Sequence, residues 1–282
     1  MPHPDRFLLA GVMGWPVMHS RSPMLHNYWF EHYGLAGSYV PLAIKPEGLH
    51  AALVALAPLG FSGCNLTIPH KQAAIPAMAE IDAVAKAIGA ISCVTVRPDG
   101  SLVGSNNDCF GFIANLLEAQ PDWRADAGPA IVIGAGGGAR AVVYGLAEQG
   151  AREIRLTNRT RGRAETIATE FGGPIQVLDW DDRHAALDGA ATLVNTTSLG
   201  LTGKPPLEID LAALPEDAVV ADIVYSPLET DLLAAARARG NMTVDGLGML
   251  LHQAVPGFER WFGVRPKVTP ELRAHVLASL QD

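Results

Sequence analysis

One lysine, one aspartate, a pair of serines and a glycine turn are the residues of this chain whose types and spacing can do chemistry. Ile131-Val132-Ile133 runs into Gly134-Ala135-Gly136-Gly137-Gly138-Ala139, and an alanine-rich helical pattern follows. This is the G-x-G-x-x-A form of a dinucleotide-binding turn in strand–turn–helix context. Gly134 and Gly136 permit a tight turn and close approach of backbone to a pyrophosphate. The helix start offers free N–H groups and a positive dipole end to that anion. The next strand, 153–157, ends at Asn158-Arg159-Thr160, with Arg161 and Arg163 just beyond. NAD-binding chains place Asp or Glu there; a cation favours the 2′-phosphate of NADP. Taken alone, these residues also fit an ordinary glycine-rich turn followed by a solvated helix start.

The other half of the chain carries three clusters, each where a strand or hairpin gives way to a loop or helix. Ser20 and Ser22 precede a helical pattern and can donate together to a small carboxylate, although Ser22 alone reads as a helix cap. Lys71 follows Asn65-Leu66-Thr67-Ile68-Pro69-His70 and can exchange a proton with a substrate hydroxyl; the bland alternative is a surface lysine. His70 reads as a helix-start polar residue rather than a catalyst. Asp108 opens a predicted helix, where it either caps that helix or pairs with Lys71 across a cleft.

The elements that must position these groups alternate between strand and helix. Strands are expected at 7–14, 38–44 and 61–66, with helices over 22–33 and 46–57 and two short helices up to about Ile88. Ala90–Val96 and Ser101–Val103 flank Pro98-Asp99-Gly100 as a β-hairpin. The expected architecture is an N-terminal α/β domain with a mostly parallel sheet, then a Rossmann-like nucleotide domain, with a cleft between them. The boundaries are 1–107, completed by helices in 246–282, and 108–245. Strands are expected in the second domain near 130–134, 153–157, 175–178, 191–195, 219–223 and 242–245.

Composition narrows the function classes. In 282 residues, 49% are apolar and 18% charged, which suits globular domains with a sizeable core. A net charge of −8 argues against general nucleic-acid binding. Cys64, Cys93 and Cys109 form no C-x-x-C pair, so neither a metal site nor a disulfide framework is expected. No apolar run is long enough to span a bilayer, and Met1–Arg6 leads straight into a strand-like run, so a cytoplasmic location is expected. Monomer and homodimer both fit.

In their order along the chain the motifs resemble the shikimate dehydrogenase family nearly end to end. The matching stretches are G-x-P-x-x-H-S-x-S-P-x-x-H-N at 14–27, N-x-T-x-P-x-K at 65–71 and N-x-D-x-x-G at 106–111. They continue with G-A-G-G-x-A-R-A at 134–141, N-R-T at 158–160 and N-T-T-S-x-G at 195–200. Asp222-Ile223-Val224-Tyr225 and the run Asp245–Ala254 complete the set. The resemblance implies NADPH-dependent reduction of 3-dehydroshikimate to shikimate, with Lys71 and Asp108 as the catalytic pair. It implies that Ser20 and Ser22 hold the substrate carboxylate and that Thr67, Ser92 and Gln253 contact its hydroxyls. On the cofactor side it implies Gly134, Gly136, Gly137, Gly138, Ala139 and Thr196. Asn158, Arg159, Thr160 and Arg163 would hold the 2′-phosphate. Val224, Tyr225, Gly246 and Met249 would place the nicotinamide.

Two departures fall on the substrate side. The family usually reads A-V-N-T where this chain has Ala90-Ile91-Ser92-Cys93, and N-T-D where it has Asn106-Asn107-Asp108. A hydroxyl thus replaces the usual amide at 92, and Asn107 offers an amide from the neighbouring loop. The departures leave open a related substrate of quinate or aminoshikimate type, or a non-catalytic NADP-binding paralogue. Ser22, where quinate users tend to carry Thr, leans toward shikimate. Arg159 and Arg163 disfavour NAD.

Overall fold

The structure, a computed structural model, describes residues 7–280. Met1–Arg6, read above as leading into the first strand, and Gln281–Asp282 lie outside the described residues. The chain divides into two compact units: residues up to Asn107 together with Gln253 onward, and Asp108–His252.

The first unit contains β1 (Leu8–Gly14), α1 (Ser22–His32), β2 (Gly37–Ala43), α2 (Leu49–Ala55), β3 (Gly63–Leu66), α3 (His70–Ala73), β4 (Glu80–Ile81), α4 (Ala83–Ile88), β5 (Cys93–Val96) and β6 (Leu102–Ser105). Its sheet order is β2-β1-β3-β5-β6-β4. β1 runs parallel to β2 and β3, and β4 to β6; the β5–β6 hairpin makes the antiparallel pairings, with β3 and within itself. The sheet is mostly parallel, as expected, with three of its five pairings parallel; the tight hairpin can only pair antiparallel within itself. β4 falls in a stretch read from sequence as helical. A strand of two residues has too little length to show a period. On one side of the sheet Leu53, Leu56, Leu66, Ile91 and Val94 pack into a core with Met13.

The second unit contains α5 (Asp108–Ala119), β7 (Ala130–Ile133), α6 (Gly137–Glu148), β8 (Ile154–Thr157), α7 (Arg161–Phe171), β9 (Ile175–Leu178), β10 (Thr192–Asn195), β11 (Val219–Asp222), α8 (Asp231–Ala238) and β12 (Met242–Val244). α9 (Gly246–Phe262) starts in this unit and continues into the first, to which α10 (Pro270–Ala278) also belongs. The six strands are all parallel, in the order β12-β11-β10-β7-β8-β9. The order reverses between β7 and β10, and such a switch point opens a crevice at the strands' carboxyl ends. Ile131, Val132 and Ile133 are fully buried and divide between two cores, one for each face of the sheet. A parallel sheet covered on both faces therefore reads as a continuous apolar run rather than an alternating one.

Among the described residues no helix is long and apolar enough to cross a membrane, and no three His, Cys, Asp or Glu side chains assemble a metal site. The three cysteines are free thiols. Burial pushes Cys64 well above the ordinary thiol range and lifts Cys93 and Cys109 to about 11.

Candidate active site

The substrate-side residues of the first unit are tied together through the backbone. Ser22 is the first residue of α1, not its cap. Arg21 holds the capping position with no side-chain cap bond, and Pro23 sits in the first turn. Ser20 Oγ instead accepts from the Ser22 N–H at 3.3 Å, so both hydroxyls stand at one helix start. Ser22 is buried, and its hydroxyl lies close enough to the Tyr39 phenol to pull against the effect of burial there. The Tyr39 hydroxyl donates to Asn65 Oδ1 at 2.7 Å, and Asn65 Nδ2 donates to the Ser92 carbonyl at 3.1 Å. Burial holds the Tyr39 phenol well above its usual range, so it stays a neutral donor.

Lys71 lies on α3, half-buried. Its main-chain carbonyl accepts from the Ile91 N–H at 2.7 Å, which fixes the start of α3 beside the segment that carries Ser92. Thr67, just past β3, is held by its N–H on the Met13 carbonyl at 2.9 Å. Gly14 is required opposite it, since a Cβ there would meet Thr67 Cγ2 at 2.4 Å. His70 is buried with Nε2 on the Ile44 carbonyl at 2.8 Å, a structural role, as its position at a helix start suggests. Gln253 sits half-buried on α9. Asp108 is the first residue of α5 and is buried.

The cofactor-side residues belong to the second unit. Gly134 has φ +114°, and a Cβ on it would meet Thr196 Oγ1 at 2.6 Å. No side chain fits there, and the position demands left-handed backbone. Gly138 is less constrained: a Cβ there would meet only the movable end of a side chain, Ile223 Cδ1 at 2.6 Å. Gly136 differs: it caps α6, is exposed, and a Cβ there would meet nothing. That open face beside exposed Gly137 leaves room for an anion at the helix N-terminus, as a pyrophosphate requires. Ala139 is fully buried in the core, so only its N–H remains for a ligand. Thr196 likewise spends its hydroxyl on the Ile133 carbonyl at 2.7 Å.

Beyond β8, Asn158 Nδ2 donates to the Thr160 carbonyl at 2.8 Å and closes the turn. Arg161 is committed to Asp179 at 2.7 Å and Glu165 at 2.8 Å. Arg159 and Arg163 are exposed, and among the described residues neither makes an ion pair. Two uncompensated guanidinium groups at this strand end suit the phosphate of NADP.

Sequence reasoning missed Asp222 as a positioning group. Its carboxylate accepts from Asn195 Nδ2 at 3.0 and 3.1 Å, the Val224 N–H at 2.9 Å and Thr230 Oγ1 at 2.8 Å. It therefore bolts the loop after β10 to the one after β11, which carries Val224 and Tyr225. Gly246 opens α9 against that loop, where a Cβ would meet the Ile223 carbonyl at 2.4 Å. Met249, one turn on, packs against the core around α5 and α6. Burial raises the Asp222 carboxyl to about 6, against the pull of its donors. A folded-state value above the unfolded one favours the protonated form. The associated stability is present below about pH 4 and lost as pH rises through about 6. In urea unfolding, the stability of wild type relative to Asp222→Asn should therefore shrink between those limits. A difference that stays flat or widens would contradict the assignment.

Comparison with known proteins decides the family. Residues 12–94 match the shikimate dehydrogenase substrate binding domain, 119–201 the shikimate / quinate 5-dehydrogenase domain, and 246–270 the shikimate 5′-dehydrogenase C-terminal domain. The NADP(+) shikimate dehydrogenase of Paramagnetospirillum magneticum is 57% identical over 96% of this chain and 98% of its own. The chain belongs to the shikimate dehydrogenase family. Shikimate 5-dehydrogenase from Thermus thermophilus, solved with NADP(H) and shikimate, is 34% identical with a TM-score of 0.85 over 98% of this chain and 99% of that one. Within the same fold, quinate dehydrogenase from Corynebacterium glutamicum, solved with NAD, reaches a TM-score of 0.89 at 32% identity over 96% of this chain and 99% of that one. Shikimate dehydrogenase membership therefore sets the reaction type, an NADP-dependent oxidoreduction, and leaves ring substitution to the residues of this chain.

Proposed function

We propose that this protein interconverts 3-dehydroshikimate and shikimate with NADP, using Lys71 and Asp108 as its acid–base pair. When bound, the cofactor supplies the hydride to the ketone carbon in one direction and accepts it in the other. As the carbonyl π bond opens, the Lys71 ammonium passes a proton to the oxygen; in reverse the neutral amine takes it back from the hydroxyl. Asp108 keeps that amine oriented. Ser20 and Ser22 hold the ring carboxylate with two hydroxyl donors. Thr67 and Gln253 fix the ring by its other hydroxyls, so that the reacting carbon faces one way. Arg159 and Arg163, with Asn158 and Thr160, read the 2′-phosphate. Val224, Tyr225, Gly246 and Met249 shape the nicotinamide site. Besides the cofactor, a small carboxylate is the partner this chemistry needs, and three scattered cysteines with no C-x-x-C pair suit the cytoplasm.

One observation carries the reading of both substrate and cofactor: two exposed arginines, without an ion pair among the described residues, follow the strand beside an open glycine turn, in a chain that also keeps Ser22 buried at the start of α1. The test is a panel of shikimate, quinate and aminoshikimate, each with NADP+ and NAD+, followed by absorbance of the reduced nicotinamide. Shikimate with NADP+ should give the highest kcat/KM. Silence throughout would overturn the proposal, and a preference for quinate with NAD+ would assign the chain to the other branch of its family.

A further inference from the structure

Among the described residues, few buried side-chain polar atoms lack a hydrogen-bond partner. One is Nδ2 of Asn107, a residue only 2% exposed. Its orientation is settled by its neighbours. Arg260 Nη1 lies 3.3 Å from Asn107 Oδ1, and a guanidinium has only donors, so the amide oxygen must face it and the NH2 must face away. The Asn107 N–H donates to Ser92 Oγ at 2.9 Å. The Ser92 hydroxyl is thereby anchored as an acceptor, and the longer amide beside it is left with two free donor hydrogens. The nearby Cys93 thiol, which Arg260 and Asn107 both pull down against its burial, is a weak acceptor that leaves Nδ2 without a hydrogen bond of normal geometry.

Leaving a buried amide N–H2 unmade is costly, and native proteins satisfy such groups with protein, water or ligand. The surroundings favour a ligand. Hydrogen bonds join Tyr39, which the buried Ser22 hydroxyl approaches, to Asn65 and the Ser92 carbonyl, and Ser92 Oγ accepts from the Asn107 N–H. Asn107 also directly precedes Asp108 in sequence. Buried His26, whose ring nitrogens are also unpartnered, offers a contrast. It is stacked on Tyr39 at 4.0 Å and ringed by Trp29, Phe258 and Trp261, which supply apolar packing rather than a polar site.

We infer that Asn107 Nδ2 donates a hydrogen bond to a non-reacting ring hydroxyl of the substrate, making Asn107 a specificity-determining residue. The inference rests on the proposed shikimate reading. In this chain the amide that reads the ring stands on the loop after β6, and Ser92 serves as its support. Arg260 acts through Asn107 as a positioning residue.

The experiment compares shikimate with its two monodeoxy analogues, each lacking one non-reacting hydroxyl, on wild type, Asn107→Ala and Asn107→Asp. The readouts are kcat/KM with NADP+ and the calorimetric Kd without cofactor. Asn107→Asp keeps an oxygen for Arg260 while removing the donor, so it guards against a folding defect in the alanine variant. Asn107→Ala should bind shikimate about tenfold more weakly, with KM for NADP+ unchanged. One analogue should lose about 10- to 100-fold on wild type, where Nδ2 is left unpaired, and little more on either variant. Equal losses for shikimate and both analogues, or no loss from either substitution, would overturn the inference. If wild type turns over none of the three and binds none of them, the shikimate reading itself has failed. Turnover by wild type with flat responses in the variants sinks only the role of Asn107.

Discussion

Replacing Lys71 with alanine is expected to lower kcat/KM for shikimate about a thousandfold, the middle of the range for a positioned general acid–base group. Calorimetric affinity for NADPH should stay within about twofold of wild type, because the fingerprint turn and Arg159 are untouched. Lys71→Arg should not rescue the rate, since a guanidinium does not release its proton near neutral pH. The role of Asp108 is read from a double-variant cycle. If it acts by orienting the lysine, Asp108→Asn costs rate alone but adds little on top of Lys71→Ala, the non-additivity of residues that work as a unit. Full additivity would assign Asp108 an independent task. A Lys71→Ala enzyme with normal turnover would remove the lysine from the mechanism.

The second large effect falls on cofactor choice. The double variant Arg159→Ala/Arg163→Ala should raise KM for NADP+ about 100-fold or more, the cost of losing charge-assisted contacts to a phosphate. KM for NAD+, which lacks that phosphate, should change by less than about threefold. Arg161→Ala serves as the control. Its guanidinium is held by Asp179 and Glu165, so cofactor preference should not move. Equal losses with both cofactors would mean that the arginines shape the loop rather than read the phosphate.

Much of the fold and part of the site were legible in the sequence, for reasons that differ from residue to residue. The β7 run Ala130–Ile133 is apolar at every position because both faces of its sheet are covered. It ends at Gly134, whose backbone only glycine adopts readily. The hairpin carrying β5 and β6 announced itself through Pro98-Asp99-Gly100, and Gly100 has φ +82°. β4 did not, because its two residues pair with β6 through tertiary context alone. Ser22 had the residue type of a helix cap, but Pro23 sits in the first helical turn and the capping position moved back to Arg21. Tyr39 and Asn65 carried no local signal of their link. They lie on different strands, and only the sheet order brings the Tyr39 hydroxyl to Asn65. Asp222 was visible as part of a motif, yet its three donors come from segments spread over 195–230. Spacing reveals what a single element presents; it does not reveal which distant elements meet.

The measurement that bears most directly on the account is the fate of an isotopic label. NADPH carrying deuterium at the transferable nicotinamide position is incubated with wild-type protein and 3-dehydroshikimate, and the product is analysed by NMR. Shikimate should carry the deuterium on the carbon of the newly formed hydroxyl, and with Lys71→Ala the same product should form far more slowly. Product that lacks the label at that carbon, or unreacted ketone with wild type, would contradict hydride transfer at this site.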